Sequence, residues 1–277
     1  MSAVAEASVE QYKRDGYTIV RGLFSAEEAG FYRDHFMHLR EIGSYEGDFG
    51  GVDPTSADPL KRYPRMIHMH RWDDISLKWM CDPRLAQVMT DLCDGVEPYG
   101  VQTMLYFKPA GARGQALHQD QFYLRAIPGC CLAAWMALDD CDEENGCLQV
   151  VPGSQEWPLL CTIKADTTQS FTDVTVPVPD DQPIVPCVMK AGDVLFFHGL
   201  LVHGSFPNHS TDRFRRALIG HYLTGDAETV GHWYHPVYRM DRTVIELGTS
   251  ADSMPCGVWA EDGSIKIQVE ELPDVHE

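Results

Sequence analysis

Hydrophobic and polar positions change their period near residue 95. Before that point apolar residues recur at helical spacing, and from Val101 they alternate or run in short blocks between turns. Residues 7–14 predict a short helix carrying Val9 and Tyr12, closed by a turn at Asp15-Gly16, and Thr18 to Phe24 reads as a strand. Ser25 with Glu28 three residues on makes a capping box, so a helix is expected from there to about Arg40. Residues 43–60 hold Gly, Asp, Ser and Pro without periodicity and predict a loop of the kind that closes over a ligand. The stretch from Asp82 predicts a helix with Leu85, Val88, Met89 and Leu92 on one side.

The second pattern starts with alternation over Val101–Phe107 and a turn over Pro109–Gly114. Strands are expected around His118–Tyr123, Cys131–Leu138, Gly146–Pro152, Val194–His198 and Arg216–Leu223. Residues 139–146 predict a charged, solvated turn, and 160–190 an insertion across the open end of a barrel. Helices first and many strands after predict a mainly β fold with flanking α elements. The expected architecture is a double-stranded β-helix (jelly roll, cupin-like) buttressed by N-terminal helices. A single domain over 1–277 is expected, with a helical part to about 95, a β core over about 96–224 and a C-terminal extension over about 225–277. His232, Tyr234 and His235 in that extension are of types that can pack against the barrel mouth, and the sequence does not place them.

Composition narrows the partners. The chain has 277 residues, 44% of them hydrophobic, which supports a packed core. Its net charge of −19 disfavours nucleic acid and anionic membrane surfaces, and mildly disfavours a CoA thioester. No apolar run is long enough to span a bilayer, and Met1–Ala7 does not resemble a signal peptide. Nine cysteines without a CxxC spacing suggest a reduced, cytoplasmic setting. The expected partner is a small-molecule substrate, for a monomer or weak homodimer.

The candidate chemistry lies in Gln115-Ala-Leu-His118-Gln-Asp120 and in His198 to Arg216. A His and a carboxylate two apart on a strand share a face. A second imidazole from a distant strand, His198 or His203, would complete a facial triad of two His and one carboxylate, the donor set of non-haem Fe(II) oxygenases. On one regular strand those two histidines, five apart, would face opposite ways. An arginine soon after, Arg213, Arg215 or Arg216, can grip a dicarboxylate through two hydrogen bonds. His68 and His70 have the spacing of one strand face, and pocket or core roles are expected for them rather than a second metal site.

Several stretches resemble the phytanoyl-CoA dioxygenase family of Fe(II)/2-oxoglutarate-dependent oxygenases. They are Asp15-Gly-Tyr-Thr-Ile-Val-Arg-Gly-Leu, Leu117-His-Gln-Asp120, Ala134-Trp135-Met-Ala-Leu-Asp, Glu144-Asn-Gly-Cys-Leu, Val151-Pro-Gly-Ser154, Gly192-Asp-Val-Leu-Phe-Phe-His198, His203-Gly-Ser and Arg215-Arg-Ala. The resemblance covers roughly residues 8–224 in family order. It implies Fe(II), 2-oxoglutarate and O2 as reactants, with His118, Asp120 and His203 as metal ligands and catalytic centre. It selects His203 over His198, which is left to pack or to support the ligands. It implies Arg215, Ser205, Trp135, Met104 and Tyr106 around the oxoglutarate, although one extra residue, Thr211, lengthens the interval to the arginine. Gln102, sharing a strand face with Met104 and Tyr106, is expected toward substrate together with His68. The implied reaction is hydroxylation or another oxidation of an unactivated C–H bond, with release of succinate and CO2. Asp120 favours hydroxylation over halogenation, since halogenating relatives carry a small residue there. The competing classes are a cupin-like metal isomerase or hydrolase, which needs a further His or Glu, and a binding or sensor module without turnover.

Overall fold

The computed structural model describes residues 6–45, 48 and 50–268. Positions 46, 47 and 49 of the expected loop, and the outer ends of the helical part and the C-terminal extension, lie outside the described residues. The core is a double-stranded β-helix of two antiparallel sheets. Among the described residues the larger has eight strands, in the order Tyr17–Val20, Val194–His198, Cys131–Ala137, Ala217–Thr224, Pro98–Tyr106, Val237–Tyr238 and Val244–Ile245, with Met66–Ile67 also on Pro98–Tyr106. The smaller runs Gln115–His118, His203–Ser205, Leu148–Val150 and Val185–Cys187.

The larger sheet is apolar on both faces because both are covered. Ala133, Trp135, Ala137, Ala217, Ile219, Met104, Leu195 and Phe197 point between the sheets. Their alternates Leu132, Ala134, Met136, Leu218, Leu105, Val194 and Phe196 pack under the N-terminal helices with Phe36, Trp79, Leu85, Val88 and Met89. Strand parity therefore decides which side chains see the barrel interior.

The helices form where their caps place them. Glu6–Asp15 is the first, and Ala26–Ile42 starts at a complete Ser25/Glu28 capping box. Asp82 caps Pro83–Leu92, whose buried stripe is Leu85, Val88, Met89 and Leu92. The expected first strand is shorter, Tyr17–Val20, and the expected loop ends in a helical turn, Pro59–Arg62, capped by Asp58.

Four expectations are corrected. His68 and His70 do not share a strand: the strand stops at Ile67, His68 takes a left-handed φ of 58°, and His70 sits in a 3-10 turn. The strand carrying His118 ends there, and Gln121–Leu124 is a helical turn rather than strand. His198 and His203 lie on two strands separated by a turn, so the parity argument between them does not apply. Cys161 and Cys256 form a disulfide, where reduced cysteines were expected. The C-terminal extension is also more built in than its sequence suggests. Its Val237–Tyr238 and Val244–Ile245 strands continue the larger sheet, and the Cys256–Trp259/Ile265–Gln268 hairpin packs beside the insertion.

Candidate active site

His118, Asp120 and His203 meet between the sheets, and one donor atom from each lies within 4.8 Å of the others. His118 and His203 are direct partners across two strands of the smaller sheet, which brings their rings to 4.2 Å. Asp120 reaches the same point differently. The chain leaves the strand after His118, and Asp120 adopts helical angles at the start of the next turn. Between them Gln119 is buried, its amide donating to the Pro158 and Leu200 carbonyls and its oxygen accepting from Leu160 N–H. That anchoring turns Asp120 inward.

Backbone carbonyls set the orientation of both imidazoles. His118 Nδ1 lies 2.9 Å from Ala116 O, and His203 Nδ1 lies 3.0 Å from Leu201 O. With Nδ1–H donating to a carbonyl, the Nε2 lone pair is turned toward the space between the three side chains. Both Nε2 atoms face the same Asp120 oxygen, at 3.5 and 3.6 Å. The other Asp120 oxygen is held at 3.2 Å by His221 Nε2. Burial would raise the Asp120 carboxyl, but His203, His221 and His118 hold it well below the usual carboxylate range. Burial, reinforced by His118, pulls His203 down to about 4, so it is neutral and able to ligate at neutral pH.

Three arginines follow His203, and their surroundings differ. Arg213 is paired with Asp142 and Glu144, and Arg216 with Asp139. Arg215 is buried, stacks over Trp135 at 5.2 Å, donates from Nε to Gly146 O, and leaves NH1 with no partner. Burial lowers its pKa from the ordinary value. Ser205 is buried on the strand of His203, two residues on. Met104 and Trp135 share the inner face with the triad, and Tyr106, at the end of the same strand, faces Phe171 of the insertion at 6.1 Å. Gln102 is buried opposite His221. The His68 ring stands 6.1 Å from Tyr234, with Nδ1 buried and unpartnered and its pKa pushed down to about 2 by burial. His198 is not among these groups: its Nδ1 accepts from Leu200 N–H and lies 3.9 Å from the Cys130 sulfur.

Two residues escaped the sequence reading. His221 and Lys108 each stand in an apolar strand context, Ala217–Thr224 and Met104-Leu-Tyr-Phe107, and a polar group in such a run was the available signal.

An antiparallel double-stranded β-helix holding a two-His, one-carboxylate cluster is the architecture of a non-haem metal site with open positions. The family model for phytanoyl-CoA dioxygenase (PhyH) matches residues 12–217, so the chain belongs to this family. The human peroxisomal phytanoyl-CoA dioxygenase is 31% identical over 233 residues, 79% of this chain and 68% of that protein. The rat enzyme is 26% identical over 256 residues, 87% and 75%. Phytanoyl-CoA dioxygenase 1 of rice is 32% identical over 156 residues, and the match spans 55% of its length. Among solved structures, EctD from S. alaskensis with bound Fe superposes with TM-score 0.64 at 24% identity, over 80% of this chain and 77% of that one. The epimerase SnoN, in complex with Fe3+, alpha ketoglutarate and nogalamycin RO, gives 0.63 at 24%, over 80% and 84%. At such identities these two likenesses speak for the fold.

Proposed function

We propose that this protein is an Fe(II)/2-oxoglutarate-dependent dioxygenase that hydroxylates an unactivated C–H bond of a small molecule. The observation that carries the reading is the pairing of the open triad with a buried arginine whose NH1 has no partner. A cation taken out of water without a counter-ion costs several kcal/mol, about as much as a tightly held carboxylate returns. The donor chemistry fits the metal: two imidazoles and one carboxylate on one side, with the rest of the coordination sphere open. The sequence relatives, peroxisomal phytanoyl-CoA dioxygenases of human and rat, agree with it.

Iron(II) with 2-oxoglutarate and O2 supplies the oxidising power, releasing succinate and CO2. The chain does the rest. His118, Asp120 and His203 hold the metal through Nε2, one carboxylate oxygen and Nε2. Arg215, stacked on Trp135, grips the far carboxylate of the co-substrate, and Ser205 adds a donor beside it. Met104 and Tyr106 line the co-substrate, while Gln102 and His68 face the substrate. His118, Asp120 and His203 are buried, which keeps bulk water from the reacting centre. No helix among the described residues is long and apolar enough to cross a membrane. A cupin-like isomerase would need a further His or Glu as ligand or base and has no use for the unpaired Arg215; His221, the histidine next to the cluster, is engaged by the outer Asp120 oxygen.

The test is anaerobic titration of Fe(II)-loaded protein with 2-oxoglutarate, watching the visible charge-transfer band of a 2-oxo acid chelated to iron. The band is expected in the wild type and absent in His203→Ala. No band in a protein that binds Fe(II) would refute the co-substrate assignment.

A further inference from the structure

The co-substrate arginine is not the only buried cation here. Lys108 is 2% exposed, as is Arg215, and neither has a carboxylate partner among the described residues. Lys108 sits just beyond the Pro98–Tyr106 strand at a φ of 29°, a left-handed value that a lysine rarely takes. Its carbonyl accepts from Arg215 N–H at 3.0 Å and from Asn208 Nδ2 at 3.1 Å, so the strained backbone is pinned. Gly146, at φ +85°, makes room for the side chain: a Cβ there would stand 2.9 Å from Lys108 Cδ.

The Lys108 ammonium has three protons and three acceptors: Ser205 Oγ at 2.6 Å, Phe206 O at 2.6 Å and Gly146 O at 3.4 Å. Gly146 O is also the acceptor of Arg215 Nε, so the two cations flank one carbonyl. Ser205 Oγ accepts a second hydrogen bond from Gln115 N–H at 3.2 Å. A hydroxyl has two lone pairs and one proton. With both lone pairs taken, the Ser205 hydroxyl can only donate.

We propose that Lys108 is a positioning residue for co-substrate binding: its ammonium, with Gln115 N–H, saturates Ser205 Oγ as an acceptor and so forces the hydroxyl proton toward the far carboxylate held by Arg215. The inference rests on the reading of this site as a 2-oxoglutarate site. It explains why a lysine is buried at the cost of its hydration, next to a second cation. Burial and Arg215 pull its pKa well below the ordinary lysine value, and a carboxylate at Arg215 opposes that pull.

The test compares two ligands on Mn(II)-loaded, air-free protein by calorimetry. 2-Oxoglutarate carries the far carboxylate, and pyruvate keeps only the chelating end. Losing one charge-assisted hydrogen bond weakens binding roughly ten- to a hundredfold. Lys108→Met and Ser205→Ala should each weaken 2-oxoglutarate by that factor and leave pyruvate and Mn(II) within about twofold. The double variant should be no weaker than the worse single one, because both break the same contact. The proposal is overturned if Lys108→Met leaves 2-oxoglutarate within twofold, if pyruvate is lost equally, or if the two effects multiply. Should Lys108→Met not fold, Lys108→Gln takes its place with the same outcomes: a selective loss of 2-oxoglutarate supports the proposal, and unchanged 2-oxoglutarate affinity overturns it. Arg215→Ala separates the two levels. If it too binds 2-oxoglutarate as the wild type does, the co-substrate reading itself has failed.

Discussion

Arg215→Ala should cost most of the 2-oxoglutarate affinity and none of the metal affinity. The guanidinium is buried, makes one hydrogen bond to Gly146 O through Nε, and keeps NH1 unpartnered. Removing one side of a buried charge pair costs about 3–5 kcal/mol. That is roughly two to three and a half powers of ten in Kd. Lys108 and Ser205 remain in the variant, so the lower end, about a hundredfold, is expected. The controls sit one and two residues away. Arg213 has a side chain 35% exposed and is paired with Asp142 and Glu144, so its alanine variant should shift Kd by no more than about twofold. Arg216 is held by Asp139, and its loss should lower stability rather than affinity. Calorimetry of the Mn(II) protein under nitrogen reads all three. A large loss in Arg213→Ala or Arg216→Ala, with Arg215→Ala near wild type, would refute the assignment.

Further outcomes are expected. His118→Ala, Asp120→Ala and His203→Ala should each abolish tight Fe(II) or Mn(II) binding, while His198→Ala keeps it; a titration with the reverse result for His198 and His203 would move the metal site. Burial pulls His70 from 6.5 to about 3, so the unfolded chain takes up a proton below pH 6.5 that the folded chain refuses. Stability is therefore lost as pH falls from 6.5, by about 2 kcal/mol at pH 5 from this residue alone, and urea unfolding at both pH values should show that much less pH dependence in His70→Gln. Reducing the Cys161–Cys256 disulfide, which closes a sequence separation of 95 residues, should lower stability by about 2–4 kcal/mol in denaturant melts with and without reductant.

The helices and main strands were legible because their signals are local. The capping box at Ser25 and the apolar stripe of Pro83–Leu92 state their own boundaries. Asp120 shows where local reading stops. Spacing of two placed it beside His118 on a strand, and it does lie beside His118, but through a helical turn anchored by Gln119 to the distant Pro158, Leu160 and Leu200. The same limit hid Lys108 and His221, whose partners Ser205 and Asp120 are 97 and 101 residues away in sequence. It also hid the disulfide, since its two cysteines carry no mutual pattern. Spacing alone left three arginines open and the resemblance pointed to Arg215; the carboxylates around Arg213 and Arg216 leave Arg215 as the buried one without an ion pair.

The central claim is turnover of 2-oxoglutarate at this metal site, and it can be measured without knowing the substrate. Purified protein given Fe(II), a reductant, 2-oxoglutarate and air should release succinate slowly above a no-iron control, as read by mass spectrometry. The rate should rise several-fold on adding a true substrate and vanish in His203→Ala. A protein that binds both iron and 2-oxoglutarate, yet releases no succinate above control across a broad substrate panel, would contradict the account and leave a binding module.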